Sequence, residues 1–178
     1  MRNNKLKSKT NGFTLIETLV AIFILSAALA SPMVLSIKSI GSASVSRDQL
    51  VAFYLGQEVV EYVRNVRDTN LISGNNWLDG LTDCLLSSGP NGCYIDVIKN
   101  PATVTVCGAN CPKLDFDGIN YTYKLGGGDG NTIFTRTVKI DDTIGIGGDE
   151  AKISVSIEWT SRYGEKTINL EDNLFNWR

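Results

Sequence analysis

The hydrophobic and polar positions change their pattern three times along the chain. Residues 13–37 are apolar on every side apart from one carboxylate, Glu17. At roughly 1.5 Å of helical rise per residue, those 25 positions reach about 37 Å, enough to cross a hydrocarbon core of about 30 Å. After Ile37 the pattern becomes one-sided. Val51, Leu55, Val59, Tyr62 and Val66 recur every three or four positions, while Gln57, Glu58, Glu61, Arg64, Arg67 and Asp68 take much of the remainder, the stripe of an amphipathic helix. We therefore expect one nearly continuous helix from at or just before Phe13 to about Asp68. Pro32 is expected to kink or locally melt it, and Gly41 with the serines through Ser46 to soften it. Glu61 with Arg64, and Arg64 with Asp68, are spaced to pair on a solvated face.

Residues 69–92 collect Asn, Gly, Asp and Ser around Trp77, Leu78, Leu81, Leu85 and Leu86. They read as a loop region with a short helix near residues 77–86 and Trp77 as a lid on the core. Beyond Gly92 the period is two: residues 94–98, 102–106, 121–125, 134–140 and 152–159 alternate as half-buried strands. Residues 159–170 form a last hairpin turning near Gly164. The sheet's apolar face needs a cover, which the helical stripe supplies. The expected fold is α+β, a long N-terminal helix packed on a C-terminal antiparallel sheet. Its parts are a polar leader (1–12), an apolar helix (13–37), an amphipathic spine (38–68) and a loop and sheet region (69–178).

Glu17 is the residue in need of explanation, because a carboxylate near a membrane is expensive and seeks a cation. Cleavage between Gly12 and Phe13 would create one, an α-amino group four residues away on the same helix face. Gly12 followed by Phe13-Thr14-Leu15-Ile16-Glu17, after a basic leader and before an apolar run, resembles the processing site of type IV pilins and type II secretion pseudopilins. The resemblance covers about a third of the chain strongly. It implies cleavage after Gly12 by a prepilin peptidase, N-methylation of Phe13, and pairing of Glu17 with the N-terminal amine of a neighbouring subunit. It also implies a pilin-like fold, an inner-membrane assembly platform and other pilin subunits as partners, and membrane lipid around the helix before assembly. The opening Glu17-Thr18-Leu19-Val20-Ala21 and the spine over residues 52–68 most resemble minor subunits. An ordinary secretory signal differs, since its small-residue cut site follows the apolar core; Ala28-Leu29-Ala30 offers only an imitation of one.

Charge sets orientation and narrows the partners. The chain has 17 Lys and Arg against 19 Asp and Glu, net −2; loss of Arg2, Lys5, Lys7 and Lys9 leaves 13 against 19, net −6. The basic leader is expected to stay in the cytoplasm and residues from about 38 onward to be exported. An acidic mature chain argues against a general electrostatic hold on nucleic acid. Four cysteines in the exported part, Cys84, Cys93, Cys107 and Cys111, fit two disulfides in an oxidising compartment. Of three pairings we favour Cys84 with Cys93 and Cys107 with Cys111, each closing a short loop rich in turn formers. A four-thiolate zinc site lacks its usual spacings.

Catalytic chemistry is poorly supplied. The chain has no histidine, the commonest general base, and its cysteines read as structural instead of nucleophilic, so no catalytic residue and no enzymatic activity are expected, carboxylates alone being left to do such work. No cofactor and no metal ligand set are assigned. Asp115-Phe116-Asp117-Gly118 and 126–131 hold calcium-loop ingredients without an EF-hand's spacing or terminal glutamate, and turn chemistry alone explains them. The alternative to a filament subunit is a membrane-anchored extracytoplasmic binding module, serving adhesion or DNA uptake.

Overall fold

A computed structural model describes residues 12–124, 128–144 and 148–177. The chain divides into two units, residues 1–44 and 45–178. Helix α1 (Leu15–Ser73) supplies all the regular structure described in the first and opens the second.

In the first unit α1 begins two residues later than expected, because Thr14 closes its N-terminus. The Glu17 amide donates to Thr14 Oγ1 at 3.3 Å, and Thr18 N–H donates to the Thr14 carbonyl at 3.2 Å. Thr14-Leu15-Ile16-Glu17 thus carries the Ser/Thr-x-x-Glu pattern of a capping box. The helix assignment runs through Pro32, Gly41 and the serine-rich stretch without a break, so the expected melting and softening do not interrupt it. Hydroxyls in the apolar stretch turn back onto the helix. Thr18 donates to Leu15 O at 2.8 Å, Ser26 to Ile22 O at 2.8 Å and Ser36 to Pro32 O at 2.9 Å, which removes their need for water.

In the second unit the rest of α1 ends at Ser73 in a Schellman motif. Gly74, at φ +72°, donates to Leu71 O, and Asn75 donates to Asn70 O at 2.9 Å, the left-handed cap for which glycine is suited. The Asn70 side chain also donates to the carbonyls of Trp77 and Asp79, which ties the following loop to the helix. These bonds carry the helix five residues past the expected Asp68. A single 3₁₀ turn, Thr82–Cys84, stands where a short helix was expected, and Trp77 is buried in the core.

The main sheet contains β1 (Cys93–Asp96), β2 (Thr103–Val106), β5 (Phe134–Asp141), β6 (Glu150–Ser161) and β7 (Gly164–Phe175) in the order β2-β1-β5-β6-β7. Every named pair is antiparallel. A second ladder pairs β3 (Asp115–Phe116) with β4 (Tyr121–Thr122). The sheet therefore differs from expectation at residues 121–125, where only Tyr121 and Thr122 pair and Leu125 lies outside the described residues. Asp96 accounts for part of this, since its Oδ2 accepts from Thr122 Oγ1 at 2.9 Å and Tyr123 N–H at 3.3 Å.

Alternation along β5 and β6 places Phe134, Val138 and Ile140 beside Ala151, Ile153, Val155, Ile157 and Trp159 in one core. The helix answers with Ala52, Leu55, Val59 and Val63. Val51, Tyr62 and Val66 from the predicted stripe pack at its edge. Their spacing covers 15 residues in four steps, about 60° beyond four full turns at 3.6 residues per turn, so that stripe drifts off the buried line. At Gly56 the helix runs close to β7, because a Cβ there would lie 2.6 Å from Leu170 Cδ1.

Candidate processing and assembly site

Gly12 and Phe13 precede α1 in non-helical backbone, and both are exposed, Phe13 to 78%. A peptide bond cleaved in place must be accessible, and the residues on both sides of this one are exposed. In the uncleaved chain Phe13 does not share a helix face with Glu17, because the turn between them is spent on the Thr14 cap. Among the described residues no side chain lies within hydrogen-bond or ion-pair distance of the Glu17 carboxylate. Around it Leu15, Ile16, Leu19, Val20, Ile22 and Phe23 are at least half exposed. The result is an exposed apolar helix, long and apolar enough to cross a membrane, with one acid near its start that has no partner among the described residues. Thr14 went unnoticed in the sequence, although a Ser/Thr-x-x-Glu before an apolar run is its signal.

The cysteines pair as Cys84–Cys93 and Cys107–Cys111, with none left free among the described residues. The first bridge ties the 3₁₀ turn to β1; the second closes the turn after β2. Cys84, Cys93, Cys107 and Cys111 are all buried, so they act as framework rather than as reactive thiols.

The two acidic loops use their oxygens on their own backbone. Asp117 Oδ1 accepts from Ile119 N–H at 2.8 Å and Asn120 N–H at 2.7 Å, bonds that hold its carboxyl below the usual carboxylate range. Asp115 Oδ1 accepts from Asn131 N–H, Asn131 Oδ1 from Phe116 N–H, and Asp129 Oδ1 from Lys113 N–H. Gly126 and Gly127, part of the second glycine- and acid-rich stretch, lie outside the described residues. Among the described residues no group of three His, Cys, Asp or Glu side chains is placed to hold a metal ion.

Surface pairing differs in part from the sequence expectation. Arg64 binds Glu61 at 2.6 Å as expected, but its second partner is Asp172 on β7 at 2.9 Å. Asp68 is instead held by Arg67 at 2.7 Å.

A wholly buried arginine in the second unit escaped the sequence reading. Arg136, central in β5, donates from Nη1 to Leu55 O at 3.0 Å and Glu58 Oε2 at 2.7 Å, and from Nη2 to Ile95 O at 2.7 Å. Its guanidinium lies 5.8 Å from the Tyr123 ring, whose phenol burial pushes upward against the opposing pull of that charge. In the alternation of β5 it sits where an apolar residue belongs, and only that misfit hints at its role.

An exposed apolar helix long enough to cross a membrane, followed by a disulfide-braced α+β unit, fits a single-pass, membrane-anchored protein. Residues 7–31 match the family model described as the prokaryotic N-terminal methylation motif. This motif is the signature of type IV pilins and pseudopilins, and the chain carries it on a pilin-like fold. Comparisons with curated proteins and with solved structures gave no match. The motif points to a structural protein rather than an enzyme, one that assembles with other pilins after prepilin-peptidase processing.

Proposed function

We propose that the chain is a type IV pilin or pseudopilin subunit of the minor class, anchored through residues 13–37 with its N-terminus cytoplasmic and its sheet exported. Prepilin peptidase cuts after Gly12, Phe13 is N-methylated, and an inner-membrane assembly platform moves the subunit from lipid into a filament. The observation that carries this reading is Glu17, an acid with no ion-pair partner among the described residues on an otherwise apolar helix. In hydrocarbon such a charge costs about 2.5–3.5 kcal/mol, and the α-amine of a neighbouring processed chain offsets it. That pairing sets the register of one subunit against the next, while apolar contact between the rods supplies association area without specifying register. The outer unit decorates or caps the filament.

The test is Glu17→Ala in the native host. We expect the variant to insert and be cleaved normally, and its amount in sheared filaments to fall at least about tenfold, the equivalent of 1.4 kcal/mol. Undiminished filament incorporation refutes the pairing. If a ligand-binding activity of the outer unit persists and no filament contains the wild-type chain, the anchored binding module replaces this reading.

A further inference from the structure

The residue at which α1 begins decides whether the Gly12–Phe13 bond lies inside or outside the helix. Helices start best at Ser, Thr, Asp or Asn, because a short side-chain oxygen accepts one of the free amides of the first turn. Asn11 is the nearest such residue before the junction and Thr14 the nearest after it. A start at Asn11 would make Gly12 and Phe13 the first helical residues, and the Gly12 carbonyl would then accept from Ile16 N–H in the helical ladder. The start at Thr14 leaves both residues in non-helical, exposed backbone. Thr14 holds that start with two atoms. Its Oγ1 accepts from Glu17 N–H at 3.3 Å, and its carbonyl accepts from the amides of Glu17 and Thr18 at 3.1 and 3.2 Å. A full capping box would also return a bond from the Glu17 carboxylate to the Thr14 amide, and among the described residues that half is not made. The side-chain part of the cap therefore rests on the Thr14 hydroxyl, and the carboxylate stays available for a cation.

We propose that Thr14 is a positioning residue for processing: its hydroxyl fixes the start of α1 at Leu15 and so keeps the Gly12–Phe13 bond out of the helix, where a peptidase takes it up without unwinding a turn. Hydrolysis breaks the bond between the Gly12 carbonyl carbon and the Phe13 nitrogen. Water supplies the hydroxyl of the new Gly12 carboxyl and the proton of the new Phe13 amine. The carbonyl that water attacks is the one that a start at Asn11 would tie to Ile16 N–H, so the two starts differ at the reacting group itself. Removing a hydroxyl cap shifts the balance between the two starts by about fivefold. The inference deepens the processing reading and rests on it.

The experiment places the full-length chain with a prepilin peptidase in lipid vesicles and follows the cut by mass spectrometry for wild type, Thr14→Val, Thr14→Ser and Thr14→Asn. Backbone carbon chemical shifts of Gly12 and Phe13 are measured on the same uncut chains. Valine keeps the shape of threonine and removes the acceptor; serine and asparagine cap with side chains of different shape. We expect Thr14→Val to lower kcat/KM for cleavage about fivefold and to move the Gly12 and Phe13 shifts toward helical values. Thr14→Ser and Thr14→Asn should keep both readouts at the wild-type level. Cleavage of wild type and Thr14→Val at the same rate overturns the proposal alone. A lower rate with unmoved shifts overturns it too, since the loss then follows contact between Thr14 and the peptidase, as does failure of both capping variants to keep the rate. A wild-type chain left uncut at Gly12–Phe13 sinks the processing reading and the proposal with it.

Discussion

Replacing Arg136 by methionine keeps an unbranched side chain of similar length and removes every hydrogen bond the guanidinium makes. The cost follows from what is left behind. Cys107 N–H donates to Gly92 O, so in the β1–β2 register Tyr94 and Thr105 form the mutually bonded pair, and the Ile95 carbonyl faces β5 instead of β2. The β1–β5 pairing includes only Cys93 and Val138, so Arg136 Nη2 takes the place of a ladder donor for that carbonyl. Orphaning a buried acceptor costs about 1–3 kcal/mol. Breaking a buried ion pair costs about 3–5 kcal/mol, and the lower end applies because Glu58 is one-third exposed and recovers solvation. The Leu55 carbonyl stays within the helical ladder and adds little. Methionine returns part of the loss through apolar packing, which leaves about 3 kcal/mol, or about 10 °C in Tm for a domain of this size. The assay is urea denaturation of the full chain in detergent, followed by tryptophan fluorescence, with Glu58→Gln as the comparison at about 1 kcal/mol. A loss below about 1 kcal/mol for Arg136→Met would show that the guanidinium does not tie the helix to β1.

Three further outcomes follow from the same geometry. Gly92→Ala should destabilise by more than about 2 kcal/mol in urea, because residue 92 sits at φ +78° and its new Cβ would meet the Val138 carbonyl and lie 2.8 Å from Lys139 Cγ; an unchanged midpoint counts against that approach. Loop-closure entropy assigns about 2.7 kcal/mol to the Cys84–Cys93 bridge and about 2 kcal/mol to Cys107–Cys111, so the double alanine variant of the first pair should show the larger drop in urea midpoint. Tyr123 has a folded pKa raised above its unfolded value of about 10. Its contribution is complete below pH 10 and lost as pH rises through the folded pKa; Tyr123→Phe should therefore flatten the fall in stability above pH 10, and a parallel fall in both proteins refutes the assignment.

Much of the architecture could be read from periodicity, which is a property of burial. The all-round apolar run and the alternation in β5 and β6 each announce one surface; the structure buries the second in the core as expected and leaves the first exposed along α1. Short elements escaped because their cause is tertiary. β3 and β4 exist as two-residue pairs held by loop side chains, and α1 outlasts its stripe because Gly74 and Asn70 cap it five residues further on. Glu17 was legible because an acid in an apolar run violates the local pattern. Arg136 violates its pattern too, but one polar residue in a strand gives no hint of partners 41 and 81 positions away.

The central claim is that Gly12–Phe13 is a processing junction that prepares Glu17's partner. Intact mass and N-terminal analysis of the protein recovered from its native membrane tests this most directly. The account predicts a chain beginning at N-methylated Phe13; a chain still beginning at Met1, or cut after Ala30, would contradict it.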